Sequence, residues 1–138
     1  MSGERIFLDT AFIQALLNRK DSLHEIAKRV WPRIQNARET LITEAIIVEV
    51  CNALAAIDRA AAVAFVRGIY ANPKMTVIEV NTDLLRRAVD LYAQYRDKSW
   101  GLTDCLSFLV MRDEELLLAA TADQDFVQAG FTALLRQD

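Results

Sequence analysis

The sequence predicts an α/β fold with a mostly parallel central sheet. Short apolar runs suited to buried strands alternate with longer stretches whose apolar residues recur at helical spacing. With 138 residues, 53% hydrophobic and 25% charged, the chain fits one globular domain, expected to span residues 1–138. It also holds only four glycines, with no internal repeat, low-complexity segment or linker. Strands alternating with helices imply a parallel sheet covered on both faces. Ligands then bind outside the carboxyl ends of the strands.

"RIFLD" (5–9) reads as a buried strand ending in Asp9, followed by helical spacing over 10–18. A helix is expected from Ser22, where "SLHE" has the form of a capping box with Glu25 answering Ser22. Pro32 should kink or divide it. "ETLIT" (39–43) is a second strand, and Thr43 can cap a long apolar helix over 44–57. Asp58 can cap the next helix, which should end near Asn72-Pro73. "MTVIEV" (75–80) is a third strand, and Thr82 starts an amphipathic helix over the following fifteen residues, 83–97. The loop 98–101 leads to Thr103, the expected cap of a helix over 104–113. "LLLAAT" (116–121) makes a fourth strand, a short helix follows near "DQDFVQAG", and "FTALL" (131–135) is expected as a last edge strand.

Several classes are excluded or made remote. Net charge is −3, which argues against binding nucleic acid through the whole surface. The first 69 residues nevertheless hold nine Lys/Arg against eight Asp/Glu, so a local basic groove is compatible with the composition. No apolar stretch is long enough to span a bilayer, and "MSGERIF" lacks the apolar core of a signal peptide, so a cytoplasmic location is expected. Cys51 and Cys105 have no zinc or disulfide spacing and read as small buried hydrophobes. His24, the sole histidine, sits among charged neighbours and is expected at the surface.

The acids carry the chemistry. Asp9 follows the first strand and Asp123 the fourth, Glu49 interrupts an apolar helix, and Asp104 opens another helix beside Thr103. If Thr103 supplies the cap, the Asp104 carboxylate is left for another role. Glu44 lies in a first turn, where the helix dipole accounts for it. Thr10, Asn52 and Ser107 are small polar neighbours able to orient Asp9, Glu49 and Asp104. Gathered without a cation, such carboxylates repel and some acquire raised pKa values. Mg²⁺ or Mn²⁺ removes that conflict, since both prefer oxygen ligands and bridge to phosphate oxygens. Acids from separate segments, without a His or Cys cluster, suit metal-assisted phosphodiester hydrolysis.

"FLDTAF", "ITEAIIVEVCNAL", "LTDCLSFLVMR" and "TADQDFVQAGF" together resemble the successive acidic motifs of PIN domains, especially the VapC-like toxin ribonucleases. The resemblance covers nearly the whole chain and keeps the family's motif order. It implies a three-layer α/β/α fold and RNA cleavage with Mg²⁺ or Mn²⁺. By position, Asp9, Glu49, Asp104 and Asp123 match the family's metal-binding acids, and Thr10 matches a small hydroxyl residue after the first Asp. It also implies homodimerisation and a small antitoxin partner with a basic segment. Ala11 stands where relatives often carry Ser or Asn, "RDEELLL" replaces a Gly-containing turn, and Asp125 is an additional acid that either touches the metal or caps a turn.

The loop "YRDKSWGLTD" (95–104) places Tyr95, Arg96, Lys98 and Trp100 just before Asp104. Cations neutralise phosphates and aromatics stack on bases, so Arg96, Lys98 and Trp100 are candidate RNA contacts. The alternative is that Trp100 plugs the core while the charges stay in water. Two other functional classes remain: a PIN scaffold retained only for binding, and an α/β phosphatase or receiver domain phosphorylated on Asp9. Position 11, where that phosphatase needs a second Asp, is Ala, and no strand-end Lys serves a receiver.

Overall fold

The computed structural model describes residues 3–136. Its strands are β1 (Arg5–Leu8), β2 (Glu39–Thr43), β3 (Met75–Ile78), β4 (Leu118–Ala120) and β5 (Thr132–Ala133). Between them run α1 (Thr10–Leu17) and α2 (His24–Gln35), α3 (Glu44–Leu54) and α4 (Arg59–Ala71), α5 (Thr82–Gln94) and α6 (Leu102–Asp113), and α7 (Gln124–Gln128). The sheet order is β3-β2-β1-β4-β5, with every neighbouring pair parallel.

This order sets where a ligand can sit. From β1 the chain winds outward through β2 to β3, then returns across the sheet to β4 and winds outward again to β5. Right-handed crossovers therefore put α1–α4 on one face and α5–α7 on the other. The winding reverses between β1 and β4, and the crevice at their carboxyl ends is the expected binding place of such a sheet. Asp9 and Asp123 flank it, since Asp9 follows Leu8 directly and β4 ends three residues before Asp123.

β1 is central, and Ile6, Phe7 and Leu8 are fully buried. On one face Trp31 lies between Phe12 and Phe65, at 6.1 and 5.9 Å between ring centroids. On the other, Tyr95, Trp100, Phe108 and Phe126 form a column with successive centroids 4.9, 4.9 and 5.0 Å apart. Removing a fully buried Phe of this kind costs about 3–5 kcal/mol.

Several local expectations need correction. Ser22 forms no capping box: α2 begins at His24, and the Asp21 side chain instead accepts from the Leu23 N–H. Pro32 does not divide α2, which continues through it to Gln35; it lies on the exposed side near the helix end. α5 starts at Thr82 as expected, capped by the Asn81 side chain, but it ends at Gln94 rather than reaching 97. β5 shrinks to two residues at the sheet edge. Thr43 and Asp58 cap α3 and α4 as their positions suggest. His24 is half-buried, with Nδ1 2.7 Å from the Ala15 carbonyl, and so ties α2 to α1. Cys105 is buried and Cys51 half-buried, both free. Among the described residues, no helix is long and apolar enough to cross a membrane.

Candidate active site

Strand ends, the starts of α6 and α7 and the middle of α3 bring five acids to the crevice. The Asp9 backbone N–H continues the β1–β4 ladder to the Ala120 carbonyl (3.3 Å), which aims the side chain past the sheet edge. Its carboxylate is 7% exposed, and Oδ2 accepts from the Thr121 hydroxyl at 2.7 Å. The Thr121 hydroxyl oxygen in turn accepts from the Asp123 N–H at 3.1 Å. One fully buried hydroxyl thus fixes Asp9 and Asp123 relative to each other. Thr10, opening α1, donates to Glu49 Oε1 of α3 at 2.7 Å and joins the second acidic segment to the first.

Asp104 lies in the first turn of α6, and its Oδ2 accepts from the Gly101 N–H at 3.0 Å. This corrects the capping expectation: Gly101 rather than Thr103 is the N-cap residue, and Asp104 itself reaches back to it. One oxygen of Asp104 caps the helix while the other is left for the crevice. Asp123 Oδ1 accepts from the Asp125 N–H at 2.9 Å and starts α7. Ser99, at the end of the preceding loop, donates to Asp125 Oδ1 at 3.1 Å.

The tightest grouping is Asp104, Asp123 and Asp125, which offer one carboxylate oxygen each, all within 4.8 Å of one another. Asp125 is therefore a full member of the cluster, whereas Asp9 and Glu49 stand just outside this triad, tied in through Thr121 and Thr10. Burial pushes the Asp9 carboxyl up to about 7; the Thr121 hydrogen bond pulls against this, and negative charge on Asp104 and Asp123 adds to the rise. Burial likewise lifts Asp104 to about 6, opposed by the Gly101 N–H and reinforced by Asp123, Asp125 and Glu49. Among the described residues, no Lys or Arg forms an ion pair with any of the five acids.

Such a donor set fits a hard divalent cation. It offers only oxygen, carries surplus negative charge, and holds carboxyls whose pKa values are raised by burial and by one another's charge. Asp104, Asp123 and Asp125 could hold the ion, with Asp9 and Glu49 beside it.

Not every expected neighbour serves the site. Asn52 is exposed, with no hydrogen bond to Glu49 among the described residues; Thr10 takes that role. Ser107 is fully buried and donates to the Thr103 carbonyl four residues back rather than to Asp104. Trp100 is 6% exposed and packed between Tyr95 and Phe108, so its faces are closed to a base and the core-plug alternative holds. Arg96 is exposed, and Lys98 is half-buried with only a loose 3.7 Å pairing to Asp97. The residues missed from sequence are Thr121, Ser99 and the Gly101 backbone. Of these only Thr121 gave a signal, as a hydroxyl closing an apolar strand two residues before Asp123. Glu44 accepts from the Val80 N–H, in keeping with its exclusion.

Comparisons with known proteins agree with this geometry. The PIN domain family model matches residues 6–132. The chain is 31% identical over 131 residues to the 23S rRNA-specific endonuclease VapC20 of two Mycobacterium tuberculosis strains, covering 91% of this chain and 95% of the relative. The crystal structure of Mycobacterium tuberculosis VapC20, described as a Sarcin-Ricin loop cleaving toxin, superposes with a TM-score of 0.82 at 30% identity. That superposition covers 92% of this chain and 96% of the other.

Proposed function

The chain belongs to the PIN domain family, and from that premise we propose that it is a divalent-metal-dependent endoribonuclease, the toxin of a type II toxin–antitoxin pair. The observation that carries the reading is the unpaired carboxylate triad of Asp104, Asp123 and Asp125 at the switch point, joined by Asp9 through Thr121. When bound there, Mg²⁺ or Mn²⁺ polarises the scissile phosphate and lowers the pKa of water.

The chain's own residues supply the rest. Asp104, Asp123 and Asp125 present oxygens from two helix starts; backbone N–H groups hold the Asp104 and Asp123 side chains, and the Ser99 hydroxyl holds that of Asp125, before any ligand arrives. Thr121 orients Asp9, and Thr10 orients Glu49 while leaving Oε2 as a free acceptor. Both hydroxyls are spent on carboxylates, which leaves neither as a nucleophile. Water is then the attacking group and no covalent enzyme intermediate forms. Its oxygen bonds to phosphorus, the bridging ribose oxygen departs, and the proton lost by water passes to solvent or to that leaving oxygen.

VapC20 is specific for 23S rRNA, so an exposed ribosomal RNA loop is the first substrate to assay. Arg96 and Lys98, on the loop leading to Asp104, are proposed to meet the RNA backbone. The antitoxin would supply a basic segment that sets an Arg among the acids and displaces the metal. A homodimer in the cytoplasm completes the proposal. The test is cleavage of structured and unstructured RNA by purified protein, with Mg²⁺ and with chelator. Cleavage should require the metal and disappear in Asp104→Asn; equal cleavage by that variant would refute the assignment.

A further inference from the structure

Beside the acids, the end of α5 and the following loop form an open cavity of about 620 Å³. This is within the usual range of small-ligand sites. Tyr92, Tyr95, Arg96, Lys98, Ser99 and Trp100 line it. Its wall is continuous with the acidic cluster: Ser99 donates to Asp125 at 3.1 Å, and the Gly101 N–H donates to Asp104 at 3.0 Å. Anything held in the cavity therefore lies next to a phosphate engaged at the acids.

The lining divides by chemistry. Trp100 and Tyr95, with centroids 4.9 Å apart, are anchored through Phe108 in the core and make a rigid floor. Tyr92, one turn earlier on α5, is 52% exposed and is the lining aromatic most open to solvent. Arg96 is exposed and forms no ion pair among the described residues. A solvent-facing ring beside an unpaired guanidinium is the pairing that holds an unstacked nucleotide by base and phosphate.

Resting on the endoribonuclease reading, we propose that this cavity is the binding site for an unpaired nucleotide adjoining the scissile phosphate. Tyr92 is its stacking platform and Arg96 its phosphate contact. Trp100 acts only by stiffening the floor. Leu85 and Val89 precede Tyr92 on α5 and are also exposed, so a second copy of the chain is the competing occupant. RNA is favoured because Arg96 and Lys98 line the cavity and Ser99 and Gly101 join it to the acids, features that a second copy covering Leu85, Val89 and Tyr92 would not use.

The test measures binding of a fluorescein-labelled, unpaired oligoribonucleotide in chelator by anisotropy. An Asp104→Asn background keeps the RNA intact and lessens repulsion. Tyr92→Ala should weaken binding roughly 5- to 100-fold, and Tyr92→Phe should stay within about two-fold. Tyr70→Ala, which removes a 62% exposed ring on α4, should change nothing. With active protein and Mg²⁺, Tyr92→Ala should raise KM far more than it lowers kcat. The proposal is overturned if Tyr92→Ala binds RNA like its parent, if Tyr70→Ala loses as much, or if Tyr92→Ala only lowers the mass measured by sedimentation. Normal stacking effects without any metal-dependent cleavage would sink the nuclease reading and leave the cavity standing. Normal cleavage with no Tyr92 effect would do the reverse.

Discussion

The two ends of the parallel sheet treat their acids in opposite ways. At the amino end, Arg5 opens β1 and reaches Glu39 at 2.8 Å and Glu114 at 3.3 Å, while Thr76 donates to the other Glu39 oxygen at 2.7 Å. The Thr76 hydrogen bond and Arg5 hold the Glu39 carboxyl below its usual value. At the carboxyl end, five acids meet and none forms an ion pair with Lys or Arg among the described residues, and burial raises Asp9 and Asp104. Acids at one end are matched to a charge the chain itself supplies. Those at the other are left for one it does not. Unmatched carboxylates destabilise a fold, so the carboxyl end points to binding rather than to stability.

Substitutions at the two ends should therefore dissociate stability from activity. Asp123→Asn is expected to lower RNA cleavage at least about 100-fold in steady-state assays while leaving the fold intact by circular dichroism. Arg5→Ala should do the opposite. It leaves two partly buried glutamates without their cation, costing about 1–2 kcal/mol in urea unfolding, with cleavage per folded molecule unchanged. Comparable loss of cleavage in both variants would break the distinction.

Thr121→Val gives an intermediate effect. It removes the hydroxyl that holds Asp9 and Asp123 together, and support of this kind typically matters by about 10- to 100-fold in activity or metal affinity. It should also shift the pH–rate profile to the alkaline side, because the hydrogen bond that lowers the Asp9 pKa is gone.

The pH dependence of stability sharpens the contrast. Asp9 has a folded pKa of about 7 against an ordinary 3.8, so the folded state holds its proton more tightly than the unfolded chain. Its penalty is absent below pH 4, grows as pH rises through that window, and is complete above 7. Metal-free protein should then melt at least about 3 °C lower at pH 8 than at pH 5, with the slope reduced in Asp9→Asn. A slope unchanged in Asp9→Asn would place the titration elsewhere. The smallest effects belong to Asn52→Ala, which should stay within about 0.5 kcal/mol of wild type and cleave normally.

The two strand-end acids were legible because the period of the apolar runs places strand ends, and a carboxylate at a carboxyl end has few structural reasons to be there. Glu49 stood out against an apolar helix for the same reason. The hydrogen-bond partners were less legible. Asn52 shares a helical face with Glu49 by spacing, but Thr10 arrives from α1 through tertiary packing that periodicity does not encode. Thr103 has the right side chain for a cap, yet the helix starts two residues earlier than expected, at Leu102, and Asp104 reaches back to Gly101 instead. Trp100 beside cations looks like a base platform until the α5–α6 packing closes over it. Asp125 joins the triad through a one-turn geometry that spacing alone leaves open.

Calorimetric titration of Mn²⁺ into metal-free protein at pH 6.5, repeated in two buffers of different ionisation enthalpy, probes the unmatched charge most directly. Wild type and Arg5→Ala should bind Mn²⁺ and release protons, since carboxyls with raised pKa values must ionise to accept the ion. Asp123→Asn should not bind measurably. Silence from wild type, or equal binding by Asp123→Asn, would contradict a metal site at the carboxyl end of the sheet.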